Sequence, residues 1–144
     1  MTDLVLGLDR EVAQWVAERI ETVGDKGFGP CAAIGIAVDN HLVAGMVYHD
    51  YQPDFQTMQL SMAATSPVWA KRDNIAALLS YPFDQLDCFK VWTLTPIDND
   101  RALKVNRHVG FTQEAVLAHQ FGRKRHGVVM RLLKPDFHRL YGGA

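Results

Sequence analysis

The run Cys31–Val38, the pair Asp39-Asn40 and the run 42–48 constrain the fold more than any other stretch. Cys31–Val38 is apolar, rich in small residues and without a helical stripe, and 42–48 returns as a matching partner. Asp and Asn tolerate positive φ, so Asp39-Asn40 suits a two-residue hairpin turn. A hairpin this apolar needs more strands and a helix to cover it. The run 58–64 supplies a third strand. Between the second and third strands, residues 49–55 hold Pro53, Asp50 and Asp54 and read as a loop.

Helical periods flank this meander. Residues 4–8 form a short strand or extended lead-in. Asp9 offers an N-cap with Glu11 in the first turn, and Val12, Trp15, Val16, Ile20 and Val23 follow at helical spacing up to Gly24. Past the third strand, Ser66-Pro67 interrupts the chain. Asp73 then caps a helix that buries Ile75, Leu78 and Leu79, and Pro82 kinks or ends it. Residues 90–94 return to strand. Residues 99–109 form a helix with Ala102, Leu103, Val105 and Val109 inward, closed by Gly110. Residues 111–117 and 128–133 make a last pair of strands across the basic turn 122–127. The order β, α, three strands, α, β, α, β, β predicts one mixed α/β domain over residues 1–144, with a single mostly antiparallel sheet and helices on its faces.

Bulk properties narrow the function. A chain of 144 residues is the size of one domain, and 48% hydrophobic with 22% charged residues is globular composition. A net charge of −1 gives no global field toward nucleic acid or an acidic membrane. Cys31 and Cys88 are far apart, with no CxxC pair and no metal-ligand spacing, and read as buried thiols. No apolar run approaches the ~20 residues of a membrane span, and no basic start leads into an apolar core. The expectation is a cytoplasmic protein without metal, membrane or nucleic-acid partner.

Two places can carry chemistry. At the strand-to-helix junction, Ala70, Lys71, Arg72, Asp73, Asn74 and Ile75 open a helix whose unpaired N–H groups, with two cations beside them, can seat a phosphate. The same residues also describe a solvated helix start. In the second place, Asn99, Ala102 and Asn106 fall on successive turns of one helix, followed by Gly110-Phe111 and Glu114. By itself this pattern equally describes a capped helix with a glycine stop.

The stretch N-D-R-A-L-K-V-N-R-H-V-G-F-T-Q-E, residues 99–114, resembles the closing motif of GNAT (GCN5-related) N-acetyltransferases. The text 65–83 with 88–94 is similar to the branch that acetylates ribosomal-protein N-termini and to its phage-type relatives, through Pro67-Val68-Trp69 and Tyr81-Pro82-Phe83. The resemblance spans about residues 32–133. It implies an acetyl-CoA-dependent N-acetyltransferase acting on a primary amine of a protein, peptide or small molecule. The pantetheine arm would lie along residues 60–64, with Met62 and Ala64 facing it and a backbone N–H near Met62 or Ala63 as oxyanion donor. The pyrophosphate would sit at Ala70 to Ile75, and Asn99, Ala102 and Asn106 would line the thioester side.

Two departures stand out. The family's phosphate loop carries glycines, and Ala70-Lys71-Arg72-Asp73-Asn74-Ile75 has none, which leaves Lys71 and Arg72 to compensate. Many members place a Tyr where Asn106 stands, and an amide cannot protonate a leaving thiolate. The base is open: His49 and Asp50 can reach the acceptor side, with His108 and His119 as weaker choices. The cluster Arg123-Lys124-Arg125-His126 reads as a hairpin tip, or as a contact for an acidic partner or the CoA 3′-phosphate. Phe137, Leu140 and Tyr141 could pack on a second subunit in a homodimer. The competing reading is a degenerate GNAT-shaped module that binds CoA or another protein.

Overall fold

Strands β2 (Cys31–Val38) and β3 (His41–Gln52) form the hairpin, and Asp39 and Asn40 take φ values of 50° and 66° in its turn. Gly35 and Gly45 face each other in the register. A Cβ on Gly35 would lie 2.6 Å from Leu42 Cδ2, and one on Gly45 would lie 2.6 Å from Val16 Cγ2. The bare backbone there lets helix α1 (Asp9–Ala17) sit close to the sheet, where Val12 and Val16 pack with Ala33 and Val47. The structure is a computed structural model that describes residues 1–142; the last two residues of the expected 1–144 domain lie outside them.

The remaining strands are β1 (Asp3–Val5), β4 (Thr57–Ala64), β5 (Lys90–Pro96), β6 (Thr112–Leu117) and β7 (Gly127–Leu133). They complete one sheet in the order β1-β2-β3-β4-β5-β7-β6. All neighbours are antiparallel except β4 and β5. Helices α2 (Arg72–Ser80) and α3 (Asp100–Val109) cover the face opposite α1. There Ile75, Leu78, Leu79, Leu103 and Val109 join Tyr48, Leu60 and Met130 in the main core. Each such side chain contributes about 1.5–3 kcal/mol by leaving water. The architecture is the mixed, mostly antiparallel sheet with helices on both faces that the element order predicts. Among the described residues no helix is long and apolar enough to cross a membrane.

Four local expectations are corrected. Asp9 is not an N-cap: it is the first residue of α1, and its Oδ1 accepts the Ala33 N–H at 3.0 Å, tying the helix to β2. α1 stops at Ala17 instead of running to Val23, because three-residue bonds from Arg19 to Val16 and from Ile20 to Ala17 tighten the chain. The stretch after Tyr48 is strand as far as Gln52, because a bulge with Asp50 at φ 51° absorbs the break in register. Asp73 does not cap α2; Lys71 holds the cap position, with no side-chain hydrogen bond. Pro82 is accommodated where α2 gives way to a π-helical turn, Tyr81–Gln85, in which Leu86 N–H donates to the Tyr81 carbonyl at 3.1 Å.

The tail folds onto its own chain. α4 (Lys134–Phe137) buries Phe137, whose ring stacks on Phe83 at 4.9 Å, and the Tyr141 hydroxyl donates to the Val109 carbonyl. Leu140 packs against the same core, so all three residues named as a dimer contact already pack on this chain, Leu140 and Tyr141 while still partly exposed.

Candidate functional site

The pairing of β4 with β5 runs only from Thr57/Lys90 to Gln59/Trp92, and beyond that the two strands are unpaired. The alternation of backbone direction shows what faces the gap. Thr65 N–H donates to the Val43 carbonyl, so in this register Ala63 and Ser61 also turn their peptide groups toward β3. Met62 and Ala64 therefore turn theirs away from β3, toward β5. On the other side, Ile97 N–H donates to His126 in the register of β5 with β7. That alternation sends the Thr93 and Thr95 peptides to β7 and turns the Leu94 peptide into the gap. Met62, Ala64 and Leu94 thus present peptide groups that neither neighbouring strand pairs with. A ligand carrying amides can complete this ladder, as an added strand would.

A cavity of about 350 Å³ occupies the opening, within the usual size of small-molecule sites. Its walls come from both faces of the sheet. Leu60, Met62, Trp69 and Leu78 line it on the α2–α3 side, and Phe28, His49 and Ser61 line it on the α1 side. α3 borders it through Asn99, Ala102 and Asn106. The Asn99 side chain caps α3 by accepting the Ala102 N–H at 3.2 Å. Asn106 Nδ2 donates to Thr93 Oγ1 at 3.2 Å, tying α3 to β5. Gly110, at φ 126°, ends the helix as expected.

On the α1 side, His49 Nε2 and Ser61 Oγ share a hydrogen bond of 2.8 Å. The Phe28 ring lies 5.1 Å from the imidazole. Burial lowers the pKa of His49 below its ordinary value of 6.5, and the Asp50 charge partly offsets this. The imidazole is neutral at pH 7, so it can accept a proton.

The residues singled out in the sequence divide three ways. His49, Met62, Ile75, Asn99, Ala102 and Asn106 meet at the cavity. Ala70, Lys71, Arg72, Asp73 and Asn74 stand at the start of α2, outside its lining. There Asn74 Nδ2 is spent on the Trp69 carbonyl and Thr2 Oγ1, each at 3.0 Å, and the Arg72 guanidinium lies 5.3 Å from the centre of the Tyr141 ring. Two residues, Ala63 and Asp50, depart from their expected roles, while Ala64 keeps the gap-facing one expected of it. The Ala63 N–H belongs to β3 and cannot be an oxyanion donor, whereas Ala64 turns its peptide to the gap without lining the cavity. Asp50 sits on the bulge, exposed, where it accepts from Gln52 Nε2 at 2.9 Å, and reaches His49 only through its charge.

In the basic hairpin, Arg125 and the two histidines are engaged. Arg125 pairs with Glu21 at 2.6 Å and Asp98 at 3.1 Å, while His119 and His126 accept backbone N–H groups of the turn. Sequence reasoning missed Ser61, Thr93, Trp69 and Phe28. The alternation Gln59-Leu60-Ser61-Met62, polar and apolar in turn, was the available signal for Ser61. Phe28 lies in a loop, with no such pattern.

Neither a protein-family model nor a curated protein sequence matches the chain. Solved structures do match. A K23-Q34 chimera of the Vibrio cholerae spermidine N-acetyltransferase SpeG and hSSAT superposes with a TM-score of 0.74 at 15% identity, over 96% of this chain and 98% of that one. The F149A mutant of Vibrio cholerae SpeG gives 0.64 at 16% identity, over 76% and 69%. A T. thermophilus protein with an acetyltransferase assignment gives 0.65 at 18% identity, over 79% and 64%. At these identities the likeness is one of fold: the chain has the fold of the GNAT acetyltransferases.

Proposed function

We propose that the chain is an acetyl-CoA-dependent N-acetyltransferase acting on a primary amine of a protein, peptide or small molecule. The observation that carries the reading is the opened β4–β5 gap, with the Met62, Ala64 and Leu94 peptides turned into it above a cavity that holds the His49–Ser61 pair. The gap fits the amides of a pantetheine arm, and the uncapped start of α2 with Lys71 fits its pyrophosphate. When bound, acetyl-CoA supplies a thioester carbonyl open to attack. In this reading Met62 N–H donates to the carbonyl oxygen, a contribution of about 2–4 kcal/mol if well aimed. Asn99 and Asn106 hold the donor arm in line.

His49 takes the proton from the acceptor nitrogen, directly or through Ser61, as the C–N bond forms and the C–S bond breaks. Asn106 has no proton of useful pKa to return, so the leaving thiolate takes one from water. The acceptor side lies on the α1 face, beside His49, Ser61 and Phe28. Spermidine, the amine in the name of SpeG, is one acceptor to assay.

The test is calorimetry with acetyl-CoA followed by a free-thiol assay over a panel of amines. Binding and amine-dependent thiol release are the expected results. His49→Gln should lower kcat about 10²-fold or more while leaving acetyl-CoA affinity in place. The glycine-free α2 start and the amide at Asn106 favour a second reading, a CoA-binding module without catalysis. That reading predicts heat with acetyl-CoA and no thiol release with any amine.

A further inference from the structure

We infer that the acceptor is a single amine on an apolar body bearing a carboxylate, and not a polycation; this rests on the acetyltransferase reading above. Among the described residues, no Asp or Glu lines the cavity. A polyamine placed there would bury ammonium groups without counter-charge, and an unpaired charge pays heavily for leaving water. The carboxylates nearest in the chain are engaged elsewhere. Glu21 lies between the lining residues Ile20 and Thr22, and Asp98 is next to Asn99, yet both are held by Arg125, Asp98 through both its oxygens. Asp50, beside His49, faces Gln52. Asp25 and Asp100 flank Lys26 and Asn99 without lining the cavity, and Asp100 sits in the first turn of α3, where the helix dipole favours it.

The wall carries one permanent cation instead. Lys26 lines the cavity, and its ammonium makes no hydrogen bond or salt bridge among the described residues. A free ammonium at a cavity wall is a partner for a carboxylate. In the same lining, Ile20, Val23, Phe28 and Phe121 supply apolar and aromatic surface from two separate loops. Phe28 also contacts the His49 ring, so the apolar surface adjoins the group that receives the amine proton. The arrangement matches an apolar amino acid: amine toward His49 and Ser61, side chain against Phe28 and Phe121, carboxylate toward Lys26.

The experiment compares kcat/KM for L-phenylalanine, phenethylamine and spermidine at saturating acetyl-CoA, with thiol release as readout and acetyl-CoA calorimetry alongside. Phenylalanine should lead, by roughly tenfold over phenethylamine, the size of one charge-assisted contact, and spermidine should trail both. Lys26→Met, an exposed substitution, should bring the phenylalanine-to-phenethylamine ratio to about one, a change that general damage to the fold would not produce. Spermidine turned over as well as phenylalanine would overturn the inference. So would an unchanged ratio in Lys26→Met, or acetyl-CoA heat without turnover of either aromatic amine. An absence of acetyl-CoA heat would instead remove the acetyltransferase reading itself.

Discussion

Helices α2 and α3 flank the same gap, yet they begin and end differently. α3 is closed at both ends: Asn99 caps its first turn, Gly110 takes φ 126°, and the Tyr141 hydroxyl satisfies the Val109 carbonyl. α2 starts at Lys71 with no side-chain cap and ends in a π-helical turn around Pro82. A closed helix is a wall, since its polar groups are already satisfied. An open N-terminus keeps N–H donors and a positive dipole end for something else. The contrast makes α3 a fixed wall of the cavity and leaves backbone donors open at the start of α2, where the proposed reading seats the pyrophosphate.

The largest expected effect tests the closed helix. A Cβ on Gly110 would stand 2.6 Å from Leu140 Cδ1, in a backbone conformation that β-branched residues avoid. Gly110→Val should destabilise the fold by about 3 kcal/mol, read as a lower Tm. A melt within a degree of wild type would mean that α3 and the tail are not locked together. Next, Lys71→Ala with Arg72→Ala should weaken acetyl-CoA binding at least tenfold, about 1.4 kcal/mol, and the loss should shrink at high salt. Arg72 already rests against Tyr141, so Lys71→Ala alone should account for most of the loss. Equal affinity at every salt concentration would make the α2 start a plain solvated helix end.

Smaller effects sharpen the same contrast. Asn99→Ala should cost about 1 kcal/mol of stability by removing a cap. Lys71→Ser should do the reverse on α2, adding a fraction of a kcal/mol while weakening acetyl-CoA. If Lys71→Ser left acetyl-CoA affinity intact, the α2 donors would not be in use.

The last prediction concerns pH. His49 has a folded-state pKa below its unfolded value of 6.5, so the unfolded chain binds more protons in that interval. Stability from this group is therefore present above pH 6.5 and is lost as pH falls toward the folded pKa. Between pH 7 and pH 5 the wild type should lose more stability than His49→Gln, measured by chemical denaturation. In activity, the acid limb should have its midpoint below 6.5 and vanish in His49→Gln.

What the sequence determined by itself is what local chemistry decides. Asp39-Asn40 dictates a hairpin because those residues tolerate positive φ, and Asn99 and Gly110 mark α3 because caps act within one turn. The apolar faces of α2 and α3 follow from period alone. A distant partner drew Asp9 from its capping role to Ala33 and the tail residues inward onto Phe83 and Val109, whereas α1 ended early through bonds within one turn. The site is tertiary throughout. His49 meets Ser61 only through the β3–β4 register, and Asn106 reaches Thr93 only once α3 lies across β5. The gap exists because two parallel strands part after three paired residues, and the Arg125 bridges depend on loops far apart in the chain. No residue near any of these positions encodes where its partner will stand.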